Sequence, residues 1–157
     1  MGDSANIIQF LANTKNTISI VESCSGGLLN YEFSKISGAS NVYRGGIISY
    51  QNEIKQNVLG IDKEILEEKT AYSFEVLGLM LDGILKMMKS DFAIATSGIA
   101  GPSGGTIENP IGSVYIGVKK RGENAVMKKY HFKGSRLNIQ KSTVKSALVL
   151  FTETFIV

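Results

Sequence analysis

Histidine, cysteine, proline and tryptophan are rare in this chain of 157 residues, which has one His, one Cys, two Pro and no Trp. A single cysteine excludes an internal disulfide and every zinc site built from several cysteines. A single histidine excludes a paired-histidine metalloprotease helix, and any Ser-His or Cys-His nucleophile pair would have to use His131. We therefore expect no metal site and no cofactor. If the protein is a hydrolase, we expect a general base other than histidine.

Long apolar runs are also absent. No stretch of about 18 apolar residues occurs, so the sequence predicts no transmembrane helix. The first 16 residues lack a basic leader followed by an apolar stretch and do not resemble a signal peptide. We expect a cytoplasmic protein without a membrane partner.

The net charge of +3 is unevenly distributed along the chain. Residues 119–145 contain nine Lys or Arg and one acid, Glu123, so this segment carries +8 and the rest of the chain −5. A Lys-rich face in contact with solvent explains such a segment, and so does a site for an anionic ligand, either a phosphate or a nucleic acid. Because only three of the 17 basic residues are Arg, we do not expect sequence-specific nucleic-acid binding.

The hydropathy pattern predicts strands alternating with helices. The predicted strands cover residues 17–22, 46–50, 91–97, 112–118 and 125–132, the last two as a hairpin. The predicted helices cover residues 6–14, 28–36, 52–59 and 136–155, with one more that begins near Asp62 and a long one capped by Ser73. This order predicts an α/β fold: a single three-layer α/β/α domain over residues 1–157 with a mixed sheet, in which the hairpin adds antiparallel strands.

The first candidate site segment is ESCSGG, residues 22–27, where a strand ends and a helix begins. Free backbone N–H groups and the helix dipole favour an anion or a developing oxyanion there, and paired glycines let a ligand approach the backbone. Ser23 and Ser25 are both candidate nucleophiles, whereas Cys24 between them is typical of a small core residue. An ordinary strand-to-helix turn with a serine cap is the alternative.

The second candidate segment, residues 43–55, places Tyr50 at the end of a strand and Lys55 on the helix that follows. Lys55 could serve as the general base, provided that burial or neighbouring cations lower its pKa. Tyr50 could then orient Lys55 or relay a proton. The alternative is an amphipathic element with a surface lysine.

The third candidate segment, residues 97–112, contains both prolines and five of the glycines. A fairly rigid loop of this kind, leaving a buried strand, is suited to presenting N–H groups to a ligand. No Gly-Lys-Ser/Thr follows as in a P-loop, and no helix opens behind it as in a dinucleotide fingerprint. A purely structural Ω-like loop is the alternative.

The fourth candidate segment is FKGSR, residues 132–136, at the start of the last predicted helix. A positive charge at a helix N-terminus is unfavourable for the dipole, which indicates an anionic partner for Arg136. A surface salt bridge is the alternative.

Taken in order, the four segments resemble the C-terminal domain of the competence/damage-inducible CinA family, the nicotinamide mononucleotide amidases of the PncC type. The family pattern ESCTGG, YSNEAK, TGIAGPGGG with KPVG, and FxGDR is matched here by ESCSGG, YQNEIK, SGIAGPSGG with NPIG, and FKGSR. The matches span nearly the whole chain. The resemblance implies a stand-alone amidase domain with the fold of the CinA C-terminal domain.

The resemblance also implies an activity: hydrolysis of the carboxamide of nicotinamide mononucleotide to nicotinate mononucleotide and ammonia. Ser23 then corresponds to the nucleophile and Lys55 to the general base, with Tyr50 beside it, and we expect the amides of residues 24–27 to form the oxyanion site. The glycine loop and Arg136 are expected to hold the ribose and the 5′-phosphate. The expected substrate-binding residues are Glu22, Ser25, Gly26, Gly27, Arg44, Ser97, Gly98, Gly101, Gly104, Gly105, Thr106 and Arg136.

Two positions depart from the family pattern. Asn109 stands where the family has a lysine, and Gln140 stands where we expect an arginine that could contact phosphate. These departures motivate a second hypothesis, a catalytically silent nucleotide-binding or competence-linked interaction module on the same fold. His131 has no assigned role, and a homo-oligomer is left open as a partner state.

Overall fold

A computed structural model describes residues 3–156. The strands are Ile18–Glu22 (β1), Tyr43–Ile48 (β2), Phe92–Gly98 (β3), Ser113–Lys120 (β4) and Val126–His131 (β5). The helices are Ser4–Thr14 (α1), Leu28–Ser34 (α2), Asn52–Asn57 (α3), Lys63–Lys69 (α4), Phe74–Met88 (α5) and Arg136–Phe155 (α6), with a 3₁₀ turn at Ala39–Asn41. None of the helices in this described part of the chain is long and apolar enough to cross a membrane.

The five strands form one mixed sheet in the order β2-β1-β3-β4-β5. β1 pairs in parallel with β2 and β3, whereas β3–β4 and β4–β5 are antiparallel. Helical crossovers between the first three strands make them parallel, and the short turn between β4 and β5 makes that pair an antiparallel hairpin. The predicted α/β fold with a mixed sheet is therefore confirmed.

Helices cover both faces of the sheet. Successive side chains of a strand point to opposite faces, so Ile94 of β3 joins the core under α1, α2 and α6, while Ala93 and Ala95 join the core under α4 and α5. The apolar side chains of α5 supply much of the second core, with Leu77, Leu81 and Ile84 fully buried there.

β2 begins three residues earlier than the predicted strand at residue 46. Two glycines hid its start, because glycine is disfavoured in strands. Gly45 has φ 123° beside a shift in the β1–β2 register. A Cβ on Gly46 would lie 2.0 Å from Asn30 Oδ1 and 2.3 Å from the carbonyl oxygen of Ile20. Close packing between β1, β2 and α2 thus requires the residue that weakens the strand pattern.

The parallel strands end at one edge of the sheet, and the candidate segments meet there. Ser23 follows β1, residues 49–51 follow β2, and the glycine loop follows β3. In open α/β sheets ligands bind outside the carboxyl ends of the strands. The same edge receives the start of α6, because the Phe132 amide donates to the carbonyl oxygen of Gly112 at the end of the loop.

Candidate active site

Ser23 and Lys55 are in direct contact at the carboxyl edge of the sheet. β1 ends at Glu22, so Ser23 is the first residue to leave the strand. Lys55 lies on α3 and is only 1% exposed, with its Nζ 3.3 Å from Ser23 Oγ. The same Nζ lies 2.7 Å from the carbonyl oxygen of Ser49 and 3.3 Å from that of Tyr50. The structure therefore brings the predicted nucleophile and the predicted base together.

The surroundings of Lys55 favour its neutral form. Burial lowers the pKa of the Lys55 ammonium from 10.5 to about 8. No carboxylate among residues 3–156 forms an ion pair with it. A neutral amine has two N–H donors and one lone pair, and the carbonyls of Ser49 and Tyr50 can accept both donors. The lone pair is then left for the hydroxyl of Ser23, which is the arrangement needed to remove its proton.

Ser25, the other candidate nucleophile, belongs to a buried network. Its Oγ lies 2.5 Å from Glu22 Oε1 and 2.7 Å from Thr96 Oγ1, and the residue is 2% exposed. A hydroxyl has one proton, so Ser25 donates to the carboxylate and accepts from Thr96. Of the two serines, Ser23 is the one hydrogen-bonded to Lys55.

Glu22 holds the beginning of α2 and does not line an open site. Its carboxylate is fully buried and accepts from the amides of Leu29 and Asn30 and from Asn30 Nδ2 at 2.7–2.9 Å. Asn30 Oδ1 in turn accepts from the hydroxyl of Tyr43. The structure therefore places Glu22 and Ser25 as buried supports of the turn, and their contact with the substrate stays a prediction. The sequence pattern did not reveal Asn30 and Thr96, since neither stands in a recognisable motif.

The two glycines of the turn and the cysteine have distinct local roles. Gly26 and Gly27 have φ 63° and 105°, a backbone region that favours glycine, and a Cβ on Gly27 would lie 2.9 Å from Ile48 Cδ1. Burial raises the pKa of the Cys24 thiol to about 12, so the thiol stays protonated. Cys24 is a core residue, as its position suggested.

Arg136, at the first position of α6, connects two of the candidate segments. Its Nη1 donates to the carbonyl oxygen of Gly101 at 2.8 Å, and its Nη2 donates to the hydroxyl of Tyr50 at 2.5 Å. Within residues 3–156 it has no carboxylate partner, so the salt-bridge alternative does not apply. Tyr50 is half-exposed and contacts Lys55 through its carbonyl, whereas its hydroxyl points to Arg136. Arg136 therefore brings to this edge a positive charge that has no ion-pair partner among residues 3–156.

The glycine loop is held in shape by its own packing. A Cβ on Gly98 would lie 2.5 Å from the carbonyl oxygen of Ser113, and one on Gly105 would lie 2.9 Å from the amide nitrogen of Ile111. Gly101 and Gly104 have φ 75° and 94°. Gly98 and Gly105 thus serve close contacts with the backbone, and the rigidity of the loop stays a prediction.

The polar residues of the loop also bond within the protein. The fully buried Ser97 donates to the carbonyl oxygen of Ala71, in the connection between α4 and α5. Thr106 Oγ1 accepts from the amide of Asn109, whose Oδ1 accepts from the hydroxyl of Tyr115. Thr106 lines a cleft of about 860 Å³ between the loop and the α4–α5 connection, which Ser23 and Lys55 do not line.

The structure also gives the surroundings of Arg44, His131 and Gln140. Arg44 is near the start of β2 and donates to the carbonyl oxygen of Met88 at the end of α5, at the edge of the sheet opposite Ser23. The structure does not bring Arg44 together with Ser23 and Lys55, and its role in substrate binding stays a prediction. His131 contacts the carbonyl oxygen of Ile111. Gln140 of α6 donates to the carbonyl oxygen of Cys24 at 3.0 Å and therefore lies directly on the turn that follows Ser23.

Comparisons with known proteins find similar sequences and structures. The sequence model of the CinA C-terminal domain matches residues 3–155. A CinA-like protein of Leptospira biflexa is 41% identical over 140 residues, which are 89% of this chain and 34% of that protein. A CinA-like protein of Thermotoga neapolitana is 36% identical over 142 residues, 90% of this chain and 34% of that protein. The chain thus spans about a third of the length of these relatives.

Solved structures with a similar fold carry names of the same kind. The competence damage-inducible protein A (ComA) of Klebsiella pneumoniae superposes with a TM-score of 0.93 at 30% identity, covering 98% of this chain and 94% of that one. The competence/damage inducible protein CihA of Agrobacterium tumefaciens superposes with a TM-score of 0.92 at 32% identity, covering 96% and 92%.

Proposed function

The chain belongs to the CinA C-terminal domain family, and from that premise we propose that it is an amidase that hydrolyses the carboxamide of nicotinamide mononucleotide to nicotinate mononucleotide and ammonia. The observation that carries the proposal is the buried Lys55 amine 3.3 Å from Ser23 Oγ. A lysine with two backbone carbonyl acceptors and a lowered pKa is suited to be the base of a serine nucleophile.

The first half of the proposed reaction forms an ester on Ser23. Neutral Lys55 accepts the hydroxyl proton as Ser23 Oγ attacks the carboxamide carbon, and the carbonyl oxygen becomes an oxyanion. The protonated Lys55 then gives its proton to the amide nitrogen, the C–N bond breaks, and ammonia leaves. One group thus serves as base and then as acid, which favours a pKa near the working pH.

The second half restores the enzyme. Water attacks the ester carbon and gives a proton to Lys55, the bond to Ser23 Oγ breaks, and Lys55 returns the proton to that oxygen. The product leaves as nicotinate mononucleotide, whose new carboxyl group ionises at neutral pH.

Binding of the substrate phosphate is assigned to Arg136. Its guanidinium has only neutral acceptors, the carbonyl of Gly101 and the hydroxyl of Tyr50, although a phosphate is a stronger partner. A phosphate arriving at this edge can replace the tyrosine hydroxyl while the contact with Gly101 keeps the guanidinium beside the loop.

The silent-module hypothesis was motivated by Asn109 and Gln140. Both side chains form hydrogen bonds within the protein, to Tyr115 and to Cys24, so neither substitution leaves a polar group of its own unpaired. The contact between Ser23 and Lys55 does not involve either residue. We therefore keep the amidase as the leading proposal.

Ammonia release from nicotinamide mononucleotide by the purified chain tests the proposal. We expect turnover to be lost in Ser23→Ala and Lys55→Met and to be kept in Lys63→Met, a lysine on the exposed side of α4. Calorimetric binding of the nucleotide without turnover would instead favour the silent module, and full activity in Ser23→Ala or Lys55→Met would refute the mechanism.

A further inference from the structure

Gln140 makes a contact that the proposed reaction has not used. It is half-buried on the second turn of α6, and its Nε2 donates to the carbonyl oxygen of Cys24 at 3.0 Å. The same Nε2 lies 3.7 Å from the place where a Cβ on Gly26 would stand. A side chain 116 residues away in sequence is therefore packed on the turn that directly follows Ser23.

This contact orients one peptide plane. In a trans peptide the C=O and N–H bonds point in opposite directions, so holding the carbonyl of Cys24 also aims the amide of Ser25. α6 packs on the same face of the sheet as α1 and α2, whereas the segment that follows Lys55 packs with α4 and α5 on the other face. A Cys24 carbonyl held by Gln140 of α6 therefore turns the Ser25 N–H away from α6.

The Ser25 amide has a free donor. The turn uses the amides of Gly26 and Leu28 to bond the carbonyl oxygens of Ser23 and Ser25. Among the hydrogen bonds of residues 3–156, none is donated by the amide of Ser25, and the same holds for the amides of Cys24 and Gly27. An unpaired backbone donor two residues after an attacking serine is suited to an oxyanion.

We propose that Gln140 is a positioning residue for an oxyanion site: it holds the Cys24–Ser25 peptide so that the Ser25 amide donates to the substrate oxygen as that oxygen gains charge. The substrate named in this inference rests on the proposed function, whereas the contact between Gln140 and Cys24 does not. It also explains how a neutral amide can replace the arginine of the family pattern, because a single N–H donor to a carbonyl is all that the contact requires.

Three variants distinguish the positioning role of Gln140 from a purely structural contact between α6 and the turn that follows Ser23. Gln140→Met keeps the length and removes the donor, Gln140→Arg restores an N–H donor, and Lys141→Met changes the adjacent exposed residue as a control. Deleting an oxyanion donor lowers kcat by a factor of about 10²–10³. In Gln140→Met the Ser25 donor is still present but no longer held in position, so we expect a smaller loss, about tenfold in kcat. The loss should be in kcat, with KM and the melting temperature unchanged.

A second readout does not depend on the nucleotide. A fluorophosphonate reacts when Ser23 Oγ attacks phosphorus, the P–O bond forms, the P–F bond breaks, fluoride leaves and Lys55 takes the proton. Its phosphoryl oxygen uses the same donors as a carboxamide oxyanion. The labelling rate, followed by intact mass, should fall about tenfold in Gln140→Met and stay near the original value in Gln140→Arg and Lys141→Met.

Each outcome of these experiments supports or overturns the positioning role of Gln140. Labelling and turnover of Gln140→Met at the original rates overturn the inference, as does an equal loss in Met and Arg variants accompanied by a lower melting temperature. A chain that is labelled and shows the expected pattern, but releases no ammonia, keeps the positioning role and removes the nucleotide proposal. A chain that is neither labelled nor active overturns both.

Discussion

The protonation of Lys55 makes the most quantitative prediction. A pKa of about 8 leaves roughly a tenth of the amine neutral at pH 7 and roughly nine tenths at pH 9. An ordinary lysine with a pKa of 10.5 would be only about 0.03% neutral at pH 7, roughly 300-fold less. We therefore expect kcat/KM for nicotinamide mononucleotide to rise about tenfold between pH 7 and pH 9, with one inflection near pH 8.

The assay is ammonia release across pH 6 to about 10 at fixed ionic strength, in parallel with the fluorophosphonate labelling rate of Ser23. Both profiles should inflect at the same pH, because both need the same neutral amine. A profile that is flat, or one whose inflection lies above about pH 10, would refute the reasoning from burial. An inflection seen in turnover but not in labelling would assign it to the substrate or to another residue.

The same shift has a consequence for stability, and its sign can be stated. Because the pKa is lower in the folded chain, the unfolded chain binds more protons between about pH 8 and 10.5, and stability rises with pH across that window. Below pH 8 the folded protein bears the full cost of a buried cation, at most about 3 kcal/mol. Lys55→Met should therefore be inactive yet more stable than the original at pH 7, by less than this because two carbonyls lose their donor.

The remaining predictions concern the parts that surround this pair. Glu22→Gln replaces a carboxylate oxygen that accepts hydrogen bonds with an NH₂ group, among four donors that then lack an acceptor. Chemical denaturation should therefore show a free energy of unfolding lower by about 1–3 kcal/mol. Arg136→Met should raise KM about tenfold for the nucleotide, and an equal rise for the nucleoside without phosphate would contradict the phosphate assignment. Gly46→Ala should destabilise by about 3 kcal/mol or more, whereas Gly78→Ala on α5 should stabilise by up to about 1 kcal/mol, both measured by thermal unfolding.

The fold followed from the sequence where periodicity is strong. The apolar stripe of α5 and the β-branched strands β1 and β3 produce their pattern through local burial, which spacing records directly. The start of β2 was missed because Gly46 lies against Asn30 and Ile20, partners that no local pattern contains, and Gly45 has φ 123° beside a shift in the β1–β2 register. The internal hydrogen bonds of Ser25 and Glu22 were not foreseen for the same reason: a motif records which residues are present but not which way their side chains point.

Composition and local pattern were sufficient to leave His131 as the only histidine for a Ser-His or Cys-His pair, to place Ser23 at a strand end and to nominate Lys55 as a base. These conclusions depend on residue type and short spacing alone. The lowered pKa of Lys55, the choice of Ser23 over Ser25 and the contact of Gln140 with Cys24 depend on burial and on partners distant in the chain. Desolvation and hydrogen-bond direction arise only when β1, α3 and α6 are packed together, so the chemistry of this edge belongs to the assembled fold.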